Sequence, residues 1–258
     1  MGIFDVIVLS IVEGITEFLP ISSTAHLVFA SRLLGIAQTD FLTSFEIFVQ
    51  LGAVLAIAGA SLRKLIADFG LLKLLIVSFI PTALIGVVVY PFVKALLVGS
   101  PLLPIITLGV GGVALIVFER WYTTHGHVGR SLKRMNNTQA LVIGLTQTIA
   151  FIPGVSRAAA TIVGGMAMRL DRRAAVEFSF LLAIPTMFAA TGLDLVQTSF
   201  VFSLGEWGLL LLGFILSGIV AFLTVRWLLR YVESHTFASF GAYRIIASLV
   251  LLGIFFLG

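Results

Sequence analysis

The sequence predicts an all-α polytopic membrane protein, with six transmembrane helices and two re-entrant helical hairpins arranged as an inverted-topology internal repeat. Three observations lead there. Of 258 residues, 59% are hydrophobic and only 11% charged, with a mean hydropathy of +1.15, whereas soluble domains carry about 25% charged residues. Six apolar stretches reach the length of about 20 residues that a bilayer core requires. Two further apolar regions are each interrupted by a proline with hydroxyl-bearing residues just after it.

Composition excludes other classes. Gly 25 and Phe 22, without a low-complexity tract, rule out a fibrous or disordered chain. Cys 0 removes disulfides, thiol chemistry and cysteine metal ligands. The net charge of +4 comes from cations that sit singly or in short clusters between apolar runs. That is how cytoplasmic loops of membrane proteins read, so no nucleic-acid partner is expected. The opening Met1-Gly2-Ile3-Phe4-Asp5 lacks the basic segment of a signal peptide and is expected to be retained.

The elements follow in chain order. The first apolar region, 3–34, breaks at Leu19-Pro20-Ile21-Ser22-Ser23. Proline removes a backbone donor and serine caps a following helix, so the segment reads as two half-helices. Spans are expected near 41–61, 71–93 and 101–118, then a polar linker at 119–137. The second broken region, 138–168, is interrupted at Ile152-Pro153-Gly154-Val155-Ser156-Arg157, and spans near 174–196, 207–230 and 241–258 complete the chain.

If both breaks return to their starting side, the loops at 62–73, 119–137, 169–173 and 226–244 share one face. Thirteen Lys and Arg then fall there, Arg244 among them, against Arg32 and Lys94 opposite, with Arg157 left at membrane depth. The positive-inside rule puts that face in the cytoplasm and both termini outside. Phe18-Leu19-Pro20 followed by Ser22-Ser23 echoes Phe151-Ile152-Pro153 followed by Ser156, and Phe45-Glu46 echoes Val176-Glu177-Phe178. One membrane domain, 1–258, is thus expected, with repeats at 1–118 and 138–258. Each half holds three crossings, an odd number, so the second half is inverted relative to the first.

Chemistry concentrates at the breaks. Glu13 and Glu17 are four apart, which places both carboxylates on one helical face. Inside a bilayer that pair needs a shared proton, a cation or a divalent metal; the other reading is a solvated interface. Ser22, Ser23 and Thr24 open the next half-helix, either as plain caps or as an anion site at its positive end. His26 follows as a proton carrier or nucleophile. At the second break, Gly154, Ser156, Arg157 and Thr161 begin another half-helix. Arg157 needs an anion, either a phosphate, which its planar fork fits, or one of the glutamates. Together these groups are the equipment of phosphoryl transfer, and their membrane setting points to a lipid phosphate or diphosphate.

The run Glu13-Gly-Ile-Thr-Glu17-Phe-Leu-Pro-Ile-Ser-Ser-Thr-Ala-His26 and the run Pro153-Gly-Val-Ser-Arg157-Ala-Ala-Ala-Thr161 resemble the two signature motifs of the bacterial undecaprenyl-diphosphate phosphatases, the bacitracin-resistance family. Phe45-Glu46-Ile-Phe-Val-Gln50-Leu-Gly and Val176-Glu177-Phe-Ser-Phe-Leu-Leu-Ala-Ile-Pro185 are also similar to family segments, so the likeness covers essentially the whole chain. The resemblance implies hydrolysis of undecaprenyl diphosphate to the monophosphate, recycling the lipid carrier of cell-wall synthesis, at a site open to the outer face of the bacterial inner membrane. It implies a divalent cation (Mg2+ or Ca2+) at Glu13 and Glu17, and Glu17, Ser23, His26 and Arg157 as catalytic groups. Ser22, Thr24, Gly154, Ser156, Arg157 and Thr161 are the expected phosphate binders. The partners expected are the polyprenyl diphosphate and membrane lipids, and a homodimer is compatible with this reading. Ala158 departs from the family, which usually has Ser there, so position 158 is not expected to hold phosphate.

Other polar groups rank lower. His125-Gly126-His127 has no third metal ligand and reads as solvated linker. Glu46 and Glu177 are read as orienting Arg157 or as capping hairpin backbone, and Asp194 and Glu206 as interfacial. The competing function is a secondary transporter or lipid flippase, because inverted repeats with broken helices recur in transporters. The hydroxyl, His and Arg set favours the hydrolase.

Overall fold

The computed structural model describes residues 1–99, 102–125, 129–197 and 202–257; the side chains of 90, 91, 93–99, 193–197 and 257 fall outside that description, as do Gly126 and His127. Among the described residues the chain is helical, without strands: α1 Ile3–Thr16, α2 Ser23–Leu33, α3 Asp40–Ala67, α4 Phe69–Gly99, α5 Leu102–Thr124, α6 Asn137–Gln147, α7 Arg157–Ala167, α8 Arg172–Gln197, α9 Leu204–Tyr231 and α10 Ala238–Leu257. Stretches of α3, α4, α5, α8, α9 and α10 are long and apolar enough to cross a bilayer. The chain is a multi-pass membrane protein, and all six spans expected from the sequence are present.

Both interruptions are real. Helix α1 stops at Thr16 and α2 starts at Ser23; α6 stops at Gln147, continues as a 3-10 turn over Thr148–Phe151, and α7 starts at Arg157. The helices also recur in register. Each of α6–α10 begins within three residues of the position found by adding 133 to the start of its counterpart among α1–α5. That is the offset separating Phe18-Leu19-Pro20 from Phe151-Ile152-Pro153. Packing is reciprocal too: α1 lies on α9 as α6 lies on α4, α3 lies on α9 as α8 lies on α4, and α5 pairs with α10.

Without a hydrophobic drive between helices in lipid, small residues and hydroxyls hold these pairs. Ser217 on α9 donates to the Val49 carbonyl of α3 at 2.7 Å, and a Cβ on Gly52 would enter the Phe214 backbone. Between α4 and α6 the Thr82 hydroxyl donates to the Gly144 carbonyl at 3.0 Å, and Gly144 itself lies against the Ser78 backbone.

Two groups stand elsewhere than the sequence suggested. Arg244 is not a loop cation: it lies inside α10, 1% exposed, because four backbone carbonyls take its donors. Glu177 does not orient Arg157: it pairs with Lys64 of α3, since α3 packs on α8. The connection between α3 and α4 is also shorter than the loop expected at 62–73, reduced to Asp68, so Arg63, Lys64 and Lys73 ride on the helix ends. Near that end of the bundle Glu119 is buried, held by Arg172 and by the Phe237 backbone N–H at 3.2 Å.

Candidate active site

The first turns of α2 and α7 open onto one cavity of about 190 Å³. Ser22, Ser23 and Thr24 line it from one break, and Val155, Ser156 and Arg157 from the other, with Glu17 between them. Each helix start leaves backbone N–H groups without intrahelical partners, and the helix dipole makes both ends positive. Two such ends on one cavity favour an anion.

Local geometry explains why the breaks take these shapes. Ser22 holds φ 71°, and Gly154 holds φ 88°, a left-handed region that a non-glycine residue enters only under constraint. At Gly154 glycine is required twice over, because a Cβ would also run into Pro104 and Thr107 of α5. The Thr107 hydroxyl donates to the Pro153 carbonyl at 2.5 Å. Ser156 caps α7 by accepting from the Ala159 N–H at 3.1 Å and donates to the Leu19 carbonyl at 3.4 Å. Two carbonyls of the non-helical backbone, those of Leu19 and Pro153, thereby find side-chain donors within the protein.

Glu17 is the hub. One carboxylate oxygen accepts the Ser23 hydroxyl at 2.6 Å, and the other accepts Arg157 at 3.2 Å. Both Glu17 and Arg157 are largely buried. Arg157 also donates to the Ser179 carbonyl of α8 at 3.0 Å and rests over the Phe18 ring, 5.8 Å from its centroid. Its Nε is buried without a partner. One carboxylate thus holds a serine hydroxyl and a guanidinium together on the cavity wall.

The other expected site residues lie around this hub. Glu13, one turn before Glu17, is fully buried, and neither of its oxygens has a hydrogen-bond partner. Thr161 is buried behind Arg157, with its hydroxyl 2.6 Å from that of Ser179. His26 is not among the residues that line the cavity. Its Nδ1 donates to the Ser22 carbonyl at 2.8 Å, and in the neutral ring Nε2 accepts the Tyr243 hydroxyl, also at 2.8 Å. Glu46 lies on α3, half-buried. His125 lies tilted against the Trp121 ring and its Nδ1 bonds the Trp121 carbonyl. Among the described residues no three His, Cys, Asp or Glu converge as a metal site.

Several cavity residues escaped the sequence reading. Gln50, Thr82, Gln147 and Thr186 form part of the wall. The Thr82 and Thr186 hydroxyls donate to the Gly144 and Leu182 carbonyls, so both accept from the Gln147 amide nitrogen, at 2.9 and 3.1 Å. That fixes the amide, with its oxygen buried and unpartnered. Neutral residues scattered over four helices leave no local pattern. Tyr243 on α10 also went unread, and Arg244 was read only as a loop cation, although an Arg within an apolar span is a signal in itself.

The family of bacitracin resistance proteins, BacA, matches residues 6–250. The chain belongs to this family. Three BacA-like relatives show the breadth of the likeness, and each is named undecaprenyl-diphosphatase. The protein of Aquifex aeolicus (strain VF5) is 46% identical over 247 residues, 96% of each chain. That of Persephonella marina is 44% identical over 252 residues, 98% of each. That of Methanococcus aeolicus is 41% identical over 259 residues, 99% of each.

Proposed function

We propose that this chain hydrolyses undecaprenyl diphosphate to undecaprenyl phosphate and inorganic phosphate, the activity its relatives are named for. The observation that carries the reading is the Ser23 hydroxyl on the Glu17 carboxylate, on a cavity that two helix N-termini and Arg157 make positive. The diphosphate enters that cavity with its tail in the bilayer. Arg157 turns from Glu17 to the phosphate oxygens, which frees the carboxylate as a base. Ser23 attacks the terminal phosphorus while Glu17 takes the hydroxyl proton. The bond from that phosphorus to the bridging oxygen breaks, and lipid monophosphate leaves. Water then cleaves the phosphoserine, giving inorganic phosphate and restoring Ser23. Ser156 and the first-turn N–H groups of α7 hold the displaced charge. His26, linked to Tyr243, handles protons at the edge of the site.

A divalent cation fits the donor set. Glu13 offers two unpartnered buried oxygens beside Glu17, and Mg2+ sites commonly pair one or two carboxylates with substrate phosphates. Such an ion would neutralise phosphate charge as a Lewis acid.

The register of 133 residues and the reciprocal packing support the inverted repeat with re-entrant hairpins, and the cation distribution supports a cytoplasmic linker face with the cavity opening outward. The same repeat favours alternating access as a second reading, a lipid flippase. A transport site, however, has no use for a hydroxyl seated on a base. Phosphate release from C55 polyprenyl diphosphate in detergent, with and without chelator, tests the reading in wild type and Glu17→Gln. Release that chelator suppresses and the substitution abolishes supports it. No release from folded, lipid-reconstituted wild type overturns it in favour of transport.

A further inference from the structure

Arg244 is the largest of the fully buried side chains among the described residues. It has no carboxylate partner there. Its donors all go to backbone carbonyls: Nε to Leu108 at 3.0 Å, Nη1 to Pro20 at 3.1 Å, and Nη2 to Gly154 at 3.2 Å and Thr107 at 3.4 Å. Pro20 precedes Ser22 and Ser23 in the first break; Gly154 precedes Ser156 and Arg157 in the second. One rigid, planar group thus touches both loops and is tied to α5 through Nε.

We propose that Arg244 is a positioning residue that sets the spacing between the two phosphate-binding loops. Both breaks leave carbonyls that no helix satisfies, and a donor-only fork of fixed geometry meets that need. An alkyl-ammonium of similar charge has neither the plane nor the reach. The repeat register adds an independent argument. Position 244 corresponds at the offset of 133 to position 111, and position 111 is glycine. A Cβ there would lie 2.9 Å from Cζ of Arg244 and closer still to Nη2. The space where the two halves meet admits one guanidinium, so its counterpart must carry no side chain. The nucleophile-bearing loop and the clamp-bearing loop are therefore locked by a single asymmetric residue that touches no substrate.

The proposal rests on the hydrolase reading, and wild-type phosphate release tests that reading separately. Given an active wild type, kcat per folded, monodisperse molecule is compared for Arg244→Lys, Gly111→Ala, the double variant and Ser248→Ala. Ser248 bonds the Ile105 carbonyl of α5 at 2.8 Å, a link between the same helices that reaches neither loop. Misplacing reacting groups by about 1 Å costs on the order of 100-fold, so Arg244→Lys is expected to lose about that much in kcat. Gly111→Ala should follow it by displacing the guanidinium, and the double variant should be no slower than Arg244→Lys alone. Ser248→Ala should stay within about twofold of wild type, as a single neutral hydrogen bond allows. Wild-type kcat in Arg244→Lys or Gly111→Ala overturns the proposal. So does a multiplicative loss in the double variant, or a loss in Ser248→Ala as large as that in Arg244→Lys, because each outcome assigns the effect to general helix packing.

Discussion

The two breaks share a backbone plan and divide the chemistry. Both follow the order aromatic, aliphatic, proline, then a serine at the start of the next helix, and in the common register Ser23 corresponds to Ser156 and Thr24 to Arg157. Yet the Ser23 hydroxyl donates a hydrogen bond to Glu17, whereas Ser156 caps its own helix and reaches across to Leu19. The first break supplies carboxylates and hydroxyls, the second a cation. Two breaks of the same backbone plan bring two positive helix ends to one cavity, and side chains of opposite sign set the two ends apart.

That division can be broken by substitution, beginning with the serines. Ser23→Ala should abolish phosphate release, by about 1,000-fold or more on the scale of lost nucleophile and base chemistry, with little change in the thermal midpoint; turnover within tenfold of wild type would shift the attack to water. Arg157→Lys should lose about 100-fold, the scale of a missing charge-stabilising donor, and steady-state kinetics should show a raised KM as well as a lower kcat. Ser156→Ala should cost about 1 kcal/mol of stability, the worth of an N-cap, read by thermal unfolding in detergent, and about tenfold in turnover. Tyr243→Phe sharpens the comparison most gently. It removes only the hydrogen bond to His26, so turnover should fall by about three- to tenfold, checked by the same phosphate assay.

Much of this was legible in the sequence because membrane proteins write their constraints locally. Pro20 and Pro153, each with serines just beyond, announced both breaks, and six apolar runs announced the spans. That Glu17 and Arg157 would find partners was legible because a charge inside an apolar region needs one, and with Ser23 they meet on one cavity. What stayed hidden depends on contacts between distant positions. Arg244 sits six residues into its helix, close enough to a cationic loop to be counted with it, and its acceptors are carbonyls, which carry no residue signature. Glu177 looked like the repeat partner of Glu46, but the approach of α3 gave it to Lys64. The pairing of Ser23 with Glu17 rather than His26 was equally closed to sequence, since both partners lie within a few residues.

The helix seams at Gly52 and Gly144 bear on how this protein tolerates change. At both, backbone of the neighbouring helix occupies the place where a first side-chain carbon would stand. A library of random substitutions screened for lost function should therefore recover these glycines alongside Ser23 and Arg157. The two groups would separate by abundance: an alanine at a seam depletes folded protein from the membrane, whereas an alanine in the cavity leaves a full complement of inert molecules.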